Sequence, residues 1–212
     1  MEEKERFSQL VSLIQAGKVA ETDSFVAAAL AEGVNAVTIL DQGLLAAMDE
    51  VGKKWKEGLI FIPEVLIAAR CLNSALAILE PELTKAELRA KGIAVIGTVK
   101  GDLHDIGKNL VALMLKSKGY KIIDVGTDAG AEKFVEAVKE TGADIVCMSS
   151  LLTTSMPNFA VTITALQQAG LRDKVCVAIG GAPVTQAFAD EIGADVYAPD
   201  AVSAAEALMA WG

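Results

Sequence analysis

The chain has few residues of several kinds, and each scarcity excludes a class of protein. Its 212 residues include one histidine and three cysteines, and the aromatic content is 5%. The cysteines form no Cys-x-x-Cys pair, so we expect neither a disulfide framework nor an iron–sulfur centre, and a reducing compartment fits. One histidine with scattered cysteines cannot complete a zinc site, which needs about four protein ligands.

Clustered positive charge and long apolar runs are also lacking. The formal net charge is −9, and no cluster of Lys and Arg offsets it, so nucleic acid is not an expected partner. The N-terminal residues MEEKERF lack the apolar run of a signal peptide. No run of about 18 apolar residues occurs, so no membrane span is expected. We therefore predict a cytoplasmic protein.

The first part of the chain has only helical periodicity. Apolar stripes up to about residue 80 are interrupted at Gly17, Gly33 and Gly58, and Pro63 suits the first turn of a further helix. The third of the four predicted helices is long, from about Val37 to Glu57. Four helices with short connections predict an antiparallel bundle over residues 1–80, followed by a polar linker over 81–91.

The second part alternates strands and helices. Five apolar, β-branched runs alternate with five helical segments over residues 92–212, which predicts a parallel sheet covered on both faces. The fold class is therefore α/β: a four-helix bundle cap followed by a flavodoxin-like, Rossmann-like domain with strand order 2-1-3-4-5. This order places a ligand beyond the carboxyl ends of the strands, at the loops 101–107, 149–157 and 180–183.

His104 is the candidate metal ligand in the first of these loops. Asp102, two residues earlier, can accept a hydrogen bond from the imidazole and orient it. A single protein ligand suits a metal that a macrocycle already holds, either haem or a corrin. No Cys-x-x-Cys-His motif is present, and the flavodoxin-like setting favours a corrin.

Glycines and hydroxyl groups fill the same loops. Gly101 and Gly107 flank the histidine, and Gly180–Gly181 would let the backbone approach a large, flat ligand closely. Five hydroxyl groups lie between Ser149 and Ser155, where they could bind a polar ligand tail or cap the next helix.

Three motifs carry a resemblance to a known family: Asp102-x-His104-x-x-Gly107, Ser149-x-Leu151 and Gly180-Gly181. They resemble cobalamin-binding domains, such as that of methionine synthase, that hold the cofactor with its own base displaced and a histidine on the cobalt (base-off/His-on). The resemblance implies that His104 ligates cobalt and that a proton relay runs through Asp102 to Ser155. Ser150-x-Leu152 is an alternative match to the second motif. The implied cofactor contacts are Gly101, Asp102, Leu103, His104, Asp105, Ile106, Gly107, Ser149, Leu151, Thr153, Gly180 and Gly181.

The N-terminal part is similar to the helical cap of corrinoid proteins, from Met48 through Val65. Met48, Val51 and Trp55 share one helical face. This face could shield the upper face of the cofactor or belong to the bundle core, and the core is the stronger expectation for Val51.

The resemblance implies a corrinoid-binding methyl carrier of one-carbon metabolism, as in methyltransferase systems for methanol, methylamines, betaines or aryl methyl ethers. A substrate-specific methyltransferase would place a methyl group on the cobalt. A second methyltransferase would pass it to a thiol or a folate-like acceptor, and a reductive activase is a candidate third partner. No donor pocket is visible, which fits a carrier subunit rather than a stand-alone enzyme.

The alternative is a flavodoxin-like or cobalamin-sensing domain without methyl transfer. A mutase domain would need a catalytic barrel, and a regulator would need an output segment, and the sequence offers neither. A flavodoxin-like domain that binds a flavin would retain flavin rather than cobalt.

Overall fold

The chain forms two compact units, Met1–Arg89 and Ala90–Gly212. Their structure is a computed structural model that describes residues 3–85 and 90–211. The first unit is helical and the second contains the sheet, as predicted.

The helical unit is built from α1 (Glu3–Gln15), α2 (Val19–Ala31), α3 (Ala36–Thr38), a π-helical segment (Ile39–Leu45), α4 (Ala46–Lys56) and α5 (Ile62–Lys85). α5 packs against α1, α2 and α4. The fully buried side chains come from several of these helices, because each helix turns an apolar stripe inward. They include Leu10, Ile14, Val26, Ile39, Leu72 and Leu79.

The predicted third helix has a π-helical centre that the sequence did not reveal. α3, the π-helical segment and α4 run on without a break from Ala36 to Lys56. At Gly43 an added Cβ would lie 2.5 Å from the Leu10 side chain, so α1 crosses this segment closely. Hydrophobic spacing does not distinguish one π turn from an α turn, and such turns often accompany functional sites.

α5 extends beyond its predicted end. It continues through Pro81 to Lys85, so the first residues of the predicted linker are helical, and residues 86–89 lie outside the described part of the chain. By length and composition alone, Ile62–Leu83 could cross a membrane. Core helices of soluble proteins pass the same test, and Val65, Leu72 and Leu79 of α5 are buried in the bundle.

The second unit is a five-stranded parallel sheet with strand order β2-β1-β3-β4-β5, which confirms the prediction. Its strands are β1 (Ile93–Thr98), β2 (Lys121–Asp124), β3 (Ile145–Ser149), β4 (Cys176–Gly180) and β5 (Val196–Ala198). The helices are α6 (Ile106–Ser117), α7 (Ala131–Thr141), α8 (Pro157–Gln168), α9 (Gln186–Ile192) and α10 (Ala201–Trp211), with a 3₁₀ turn at Arg172–Lys174. Pro157 at the start of α8 and the Thr185 side chain capping α9 set two of these helix starts.

The two faces of the sheet are filled differently. α7, α8 and α9 pack in sequence, and the main core lies with them. Alternate strand residues contribute to that core, among them Val95, Val146 and Val177, because successive side chains point to opposite faces. α6 and α10 pack on each other and on the strands. On this face the side chains become smaller along the register row Ile96–Cys147–Ala178.

Two carboxylates close the amino-terminal edge of the sheet. The Asp144 side chain accepts a hydrogen bond from the Ile93 N–H at 2.8 Å, and the Asp195 side chain accepts one from the Val177 N–H at 2.7 Å. Asp195 also pairs with Arg172 at 2.8 Å. Both aspartates therefore tie neighbouring strands together at the edge opposite the predicted ligand loops.

Candidate cofactor site around His104

A cavity of about 520 Å³ lies beside the carboxyl ends of the strands, with walls from α6 and α10. Its floor contains Ile96, Cys147 and Ala178, and its α10 wall contains Ala201 and Ala204. These side chains are apolar or weakly polar and mostly small. The cavity is thus a slot over the sheet that suits a ligand with an extended apolar part.

His104 lies at this slot with its imidazole 55% exposed. Its Nδ1 is 2.7 Å from Asp102 Oδ1, and its backbone N–H donates to the same oxygen at 2.9 Å. An ionised carboxylate only accepts, so Nδ1 carries a hydrogen, and Nε2 is the nitrogen that has the lone pair in the neutral ring. The Thr98 hydroxyl donates to the His104 carbonyl at 2.9 Å and fixes the end of the loop.

Asp102 is almost fully buried, with 1% of its surface exposed. Burial favours the neutral acid, but the N–H groups of His104 and Leu151 and the imidazole favour the carboxylate and prevail. The pKa of Asp102 therefore lies well below its usual value. The Leu151 N–H donates to Oδ2 at 2.6 Å, which ties the loop after β3 to the loop after β1.

Two buried serines lie behind this carboxylate. Ser150 Oγ and Ser155 Oγ are 2.7 Å apart, and they lie 3.3 and 3.4 Å from Asp102 Oδ2. Both hydroxyls also approach the Leu152 carbonyl. The structure thus brings His104, Asp102 and Ser155 together and adds Ser150, which sequence reasoning had considered only as a shift of the Ser-x-Leu motif.

The Gly180–Gly181 turn lies against the loop after β3. Gly181 has φ = +132°, and an added Cβ would lie 1.7 Å from the Ser150 carbonyl oxygen. At Gly180 an added Cβ would meet the Ala198 carbonyl oxygen at 3.0 Å. No side chain fits at Gly181, so the absence of a Cβ lets the loops after β3 and β4 approach each other at the slot.

Exposed apolar side chains surround the imidazole. Leu103 and Ile106 are 74% and 66% exposed, and Leu151 is 45% exposed, although all three line the slot. An apolar patch of this kind beside one oriented imidazole is typical of a site that binds a large apolar ring. These residues fit a corrin: the apolar side chains could contact the ring, and His104 could hold its metal.

The other predicted contacts are distributed as follows. Asp105, Gly107, Ser149, Gly180 and Gly181 line the slot, whereas Gly101 and Asp102 support it from behind and Thr153 is exposed outside the lining. Asp105 also accepts a hydrogen bond from Asn109 at 3.1 Å.

The cap residues belong to the helical unit. Met48 and Val51 are buried within it and Trp55 is half-buried. Their contact with a cofactor stays a prediction.

Sequence reasoning missed Lys108, which lines the slot with only 3% of its side chain exposed. Its ammonium lies 2.5 Å from Asp124 Oδ2 and 2.7 Å from Asn109 Oδ1. A buried lysine needs such partners, and this pair ties the first turn of α6 to the end of β2. A lysine that follows a glycine at the start of a helix gives no sign in the sequence that it will be buried.

Metal binding by the protein alone is not supported. Within residues 3–85 and 90–211, no group of three or more His, Cys, Asp or Glu side chains could hold a metal ion. The buried thiols behave as apolar groups: burial raises the pKa of Cys147 and raises that of Cys176 to about 12.

Comparisons with known proteins agree with this geometry. Residues 92–209 match the family model of the B12 binding domain, and residues 7–80 match a second model of that description. The trimethylamine corrinoid protein of Methanosarcina barkeri is 44% identical over 186 residues, covering 85% of this chain and 86% of that one. A corrinoid protein of Desulfitobacterium hafniense (strain Y51) is 46% identical over 181 residues, covering 84% of each chain.

A solved structure is similar as well. The methanol:cobalamin methyltransferase complex MtaBC from Methanosarcina barkeri contains a chain with a TM-score of 0.90 and 29% identity. The match covers 99% of this chain and 80% of that one.

Proposed function

Because the chain belongs to the B12-binding family of corrinoid proteins from methyltransferase systems, we propose that it carries methyl groups on a corrinoid whose lower cobalt ligand is His104. The observation that carries this assignment is the Asp102–His104 pair. A buried, ionised carboxylate fixes Nδ1–H and leaves Nε2 free at the slot.

The protein's own residues have three tasks in this function. His104 supplies the axial nitrogen, and Asp102 sets the tautomer and orientation of the ring. Ser150 and Ser155 give Asp102 hydroxyl neighbours through which a proton could be held or passed when the charge on the imidazole changes. The bound cobalt itself supplies the chemistry that accepts and releases a methyl group.

The slot suits the displaced tail of the cofactor. Its walls are apolar along Ala178, Ala201 and Ala204, and its mouth carries the backbone of Gly180–Gly181 and the Ser149 side chain. The apolar end could surround a lower base, while the polar mouth could hydrogen-bond the sugar and phosphate. This placement agrees with a base-off/His-on mode of binding.

The relatives support a methyltransferase as the first proposed partner. The MtaBC structure is that of a methanol:cobalamin methyltransferase complex, and the curated relatives include trimethylamine and dimethylamine corrinoid proteins. A methyltransferase for a methylamine or methanol is therefore the first donor partner to test. A second methyltransferase, with a thiol or folate-like acceptor, and a reductive activase complete the proposed set in the cytoplasm.

The test is the visible spectrum after reconstitution with hydroxocobalamin and gel filtration. We expect the wild type to retain about one corrinoid with an imidazole ligand. His104→Ala should lose the corrinoid or its axial-nitrogen bands, and free imidazole should restore those bands, because it can take the place of the missing ring. Lys121→Ala, at the start of β2, is a control that should behave as wild type.

Two outcomes would contradict the proposal. Retention of an unchanged spectrum by His104→Ala would remove His104 as the ligand. Failure of the wild type to retain any corrinoid would remove the cofactor assignment, and retention of a flavin would favour the flavodoxin-like alternative.

A further inference from the structure

The peptide bond Lys100–Gly101 starts the loop that carries Asp102 and His104. The Asp102 N–H donates to the Val99 carbonyl at 3.2 Å, and Gly101 has φ = +84°. A hydrogen bond from the N–H of residue i+3 to the carbonyl of residue i, together with a positive φ at residue i+2, defines a type II turn. In such a turn the central peptide is bonded to neither end of the turn, so its orientation depends on partners from outside the turn.

Both polar groups of that peptide are held by side chains from other loops. The Gly101 N–H donates to Asp128 Oδ1 at 2.7 Å, from the loop after β2. The Lys100 carbonyl accepts from Asn158 Nδ2 at 2.9 Å, at the start of α8. The peptide is therefore held from opposite sides, which opposes its rotation.

Asp128 makes a second contact with the same loop. Its backbone N–H donates to the Asp102 carbonyl at 2.9 Å. The next residue, Ala129, bonds to Thr98 at 3.0 Å and forms a parallel bridge with Val99. The side chain of Asp128 thus binds Gly101 and its backbone binds Asp102, and these two residues directly precede Leu103 and His104.

The backbone of Asp128 is unusual for these contacts. Its φ is +49°, and among residues 3–85 and 90–211 it is the one non-glycine residue with a positive φ. Glycine would adopt this conformation without strain, but glycine has no side chain to accept the Gly101 N–H. Aspartate and asparagine tolerate the conformation best among residues with a side chain.

We propose that Asp128 is a positioning residue for the cobalt ligand: it holds both the Gly101 N–H and the Asp102 carbonyl and so presets Asp102 against His104 before the cofactor binds. This inference rests on the proposed function. Asn158 assists from the other side of the peptide. Neither residue lines the slot, so both act through the histidine loop.

Three variants separate the hydrogen bond from the strain. Asp128→Asn keeps an accepting oxygen and tolerates the backbone conformation. Asp128→Gly removes the acceptor and relieves the strain, while Asp128→Ala removes the acceptor and keeps the strain. We expect the affinity of the Asn variant for hydroxocobalamin to be within about twofold of that of wild type. The Gly and Ala variants should bind about tenfold more weakly, which is the low end of the range for groups that orient a metal ligand.

Two readouts report positioning rather than folding. The first is the fraction of bound corrinoid with an axial imidazole, from the visible spectrum, which should fall in the Gly variant and recover in the Asn variant. The second needs no cofactor. His104 is the only histidine, so ¹⁵N-histidine labelling gives one pair of ring signals. Wild type should show protonated Nδ1, and the Gly variant a mixture of tautomers.

The outcomes are distinct. If Asp128→Gly matches wild type in both readouts, the inference is wrong. If only the Ala variant is impaired, backbone strain explains the effect and the inference is also wrong. If wild type binds no corrinoid, the proposed function fails, and the ring signals of the cofactor-free protein still decide whether Asp128 sets the Asp102–His104 pair.

Discussion

Gly181→Ala should destabilise the second unit far more than an alanine placed at an open glycine. The new Cβ would lie 1.7 Å from the Ser150 carbonyl oxygen, about half of a normal contact distance. The atoms that it would meet belong to the backbone of Ser150, so the loop after β3 or β4 would have to shift. The φ of +132° at Gly181 adds strain of about 1–3 kcal/mol for a residue with a side chain. Together these effects should lower the free energy of unfolding by at least about 3 kcal/mol.

Gly142→Ala is the matched control. Gly142 also has a positive φ, +66°, but an added Cβ there meets nothing within 4 Å. Only the conformational cost applies, about 1–2 kcal/mol. In urea unfolding followed by circular dichroism, a slope near 2 kcal/mol per M places the midpoint about 1.5 M lower for Gly181→Ala and about 0.5–1 M lower for the control. Equal midpoints would refute the argument that the close approach of these loops requires glycine.

Two further predictions concern titratable groups. The pKa of Asp102 is lowered in the folded protein, so the stabilisation from its carboxylate is present above about pH 4 and is lost as the pH falls further. The difference in unfolding free energy between wild type and Asp102→Asn should therefore shrink on acidification from about pH 5 to pH 2, and a constant difference would contradict the lowered pKa. Three thiols are buried and have raised pKa values: Cys71, Cys147 and Cys176. A thiol reagent at neutral pH should therefore label the native protein slowly and the urea-unfolded protein fully. Fast labelling of the native protein would show that at least one of these thiols is accessible.

The sheet could be predicted from the sequence because its signals are local. The five apolar, β-branched runs became the five strands, and their alternation with helices predicted the parallel order. The helical unit was less predictable. The π-helical segment and the continuation of α5 through Pro81 depend on packing against neighbouring helices, which periodicity does not encode.

The loops of the site were also predictable as a set, because parallel strands bring their carboxyl ends to one edge. His104 and Asp102 were found through their spacing, and the structure brings them within hydrogen-bond distance. Lys108 was not identified, and Ser150 was considered only as an alternative start of the Ser-x-Leu motif, because the importance of both comes from burial beside distant residues. Asp128 gave no signal at all, since neither a positive φ nor a bond to Gly101 can be read from one aspartate in a loop.

Aspartates have different roles at the two edges of the sheet. At the amino-terminal edge, Asp144 and Asp195 bond to strand N–H groups and nothing in the slot depends on them directly. At the carboxyl edge, Asp102 and Asp128 form hydrogen bonds with the loop that carries His104. Loss of Asp144 or Asp195 should therefore lower the amount of folded protein, whereas loss of Asp102 or Asp128 should also weaken retention of the ligand.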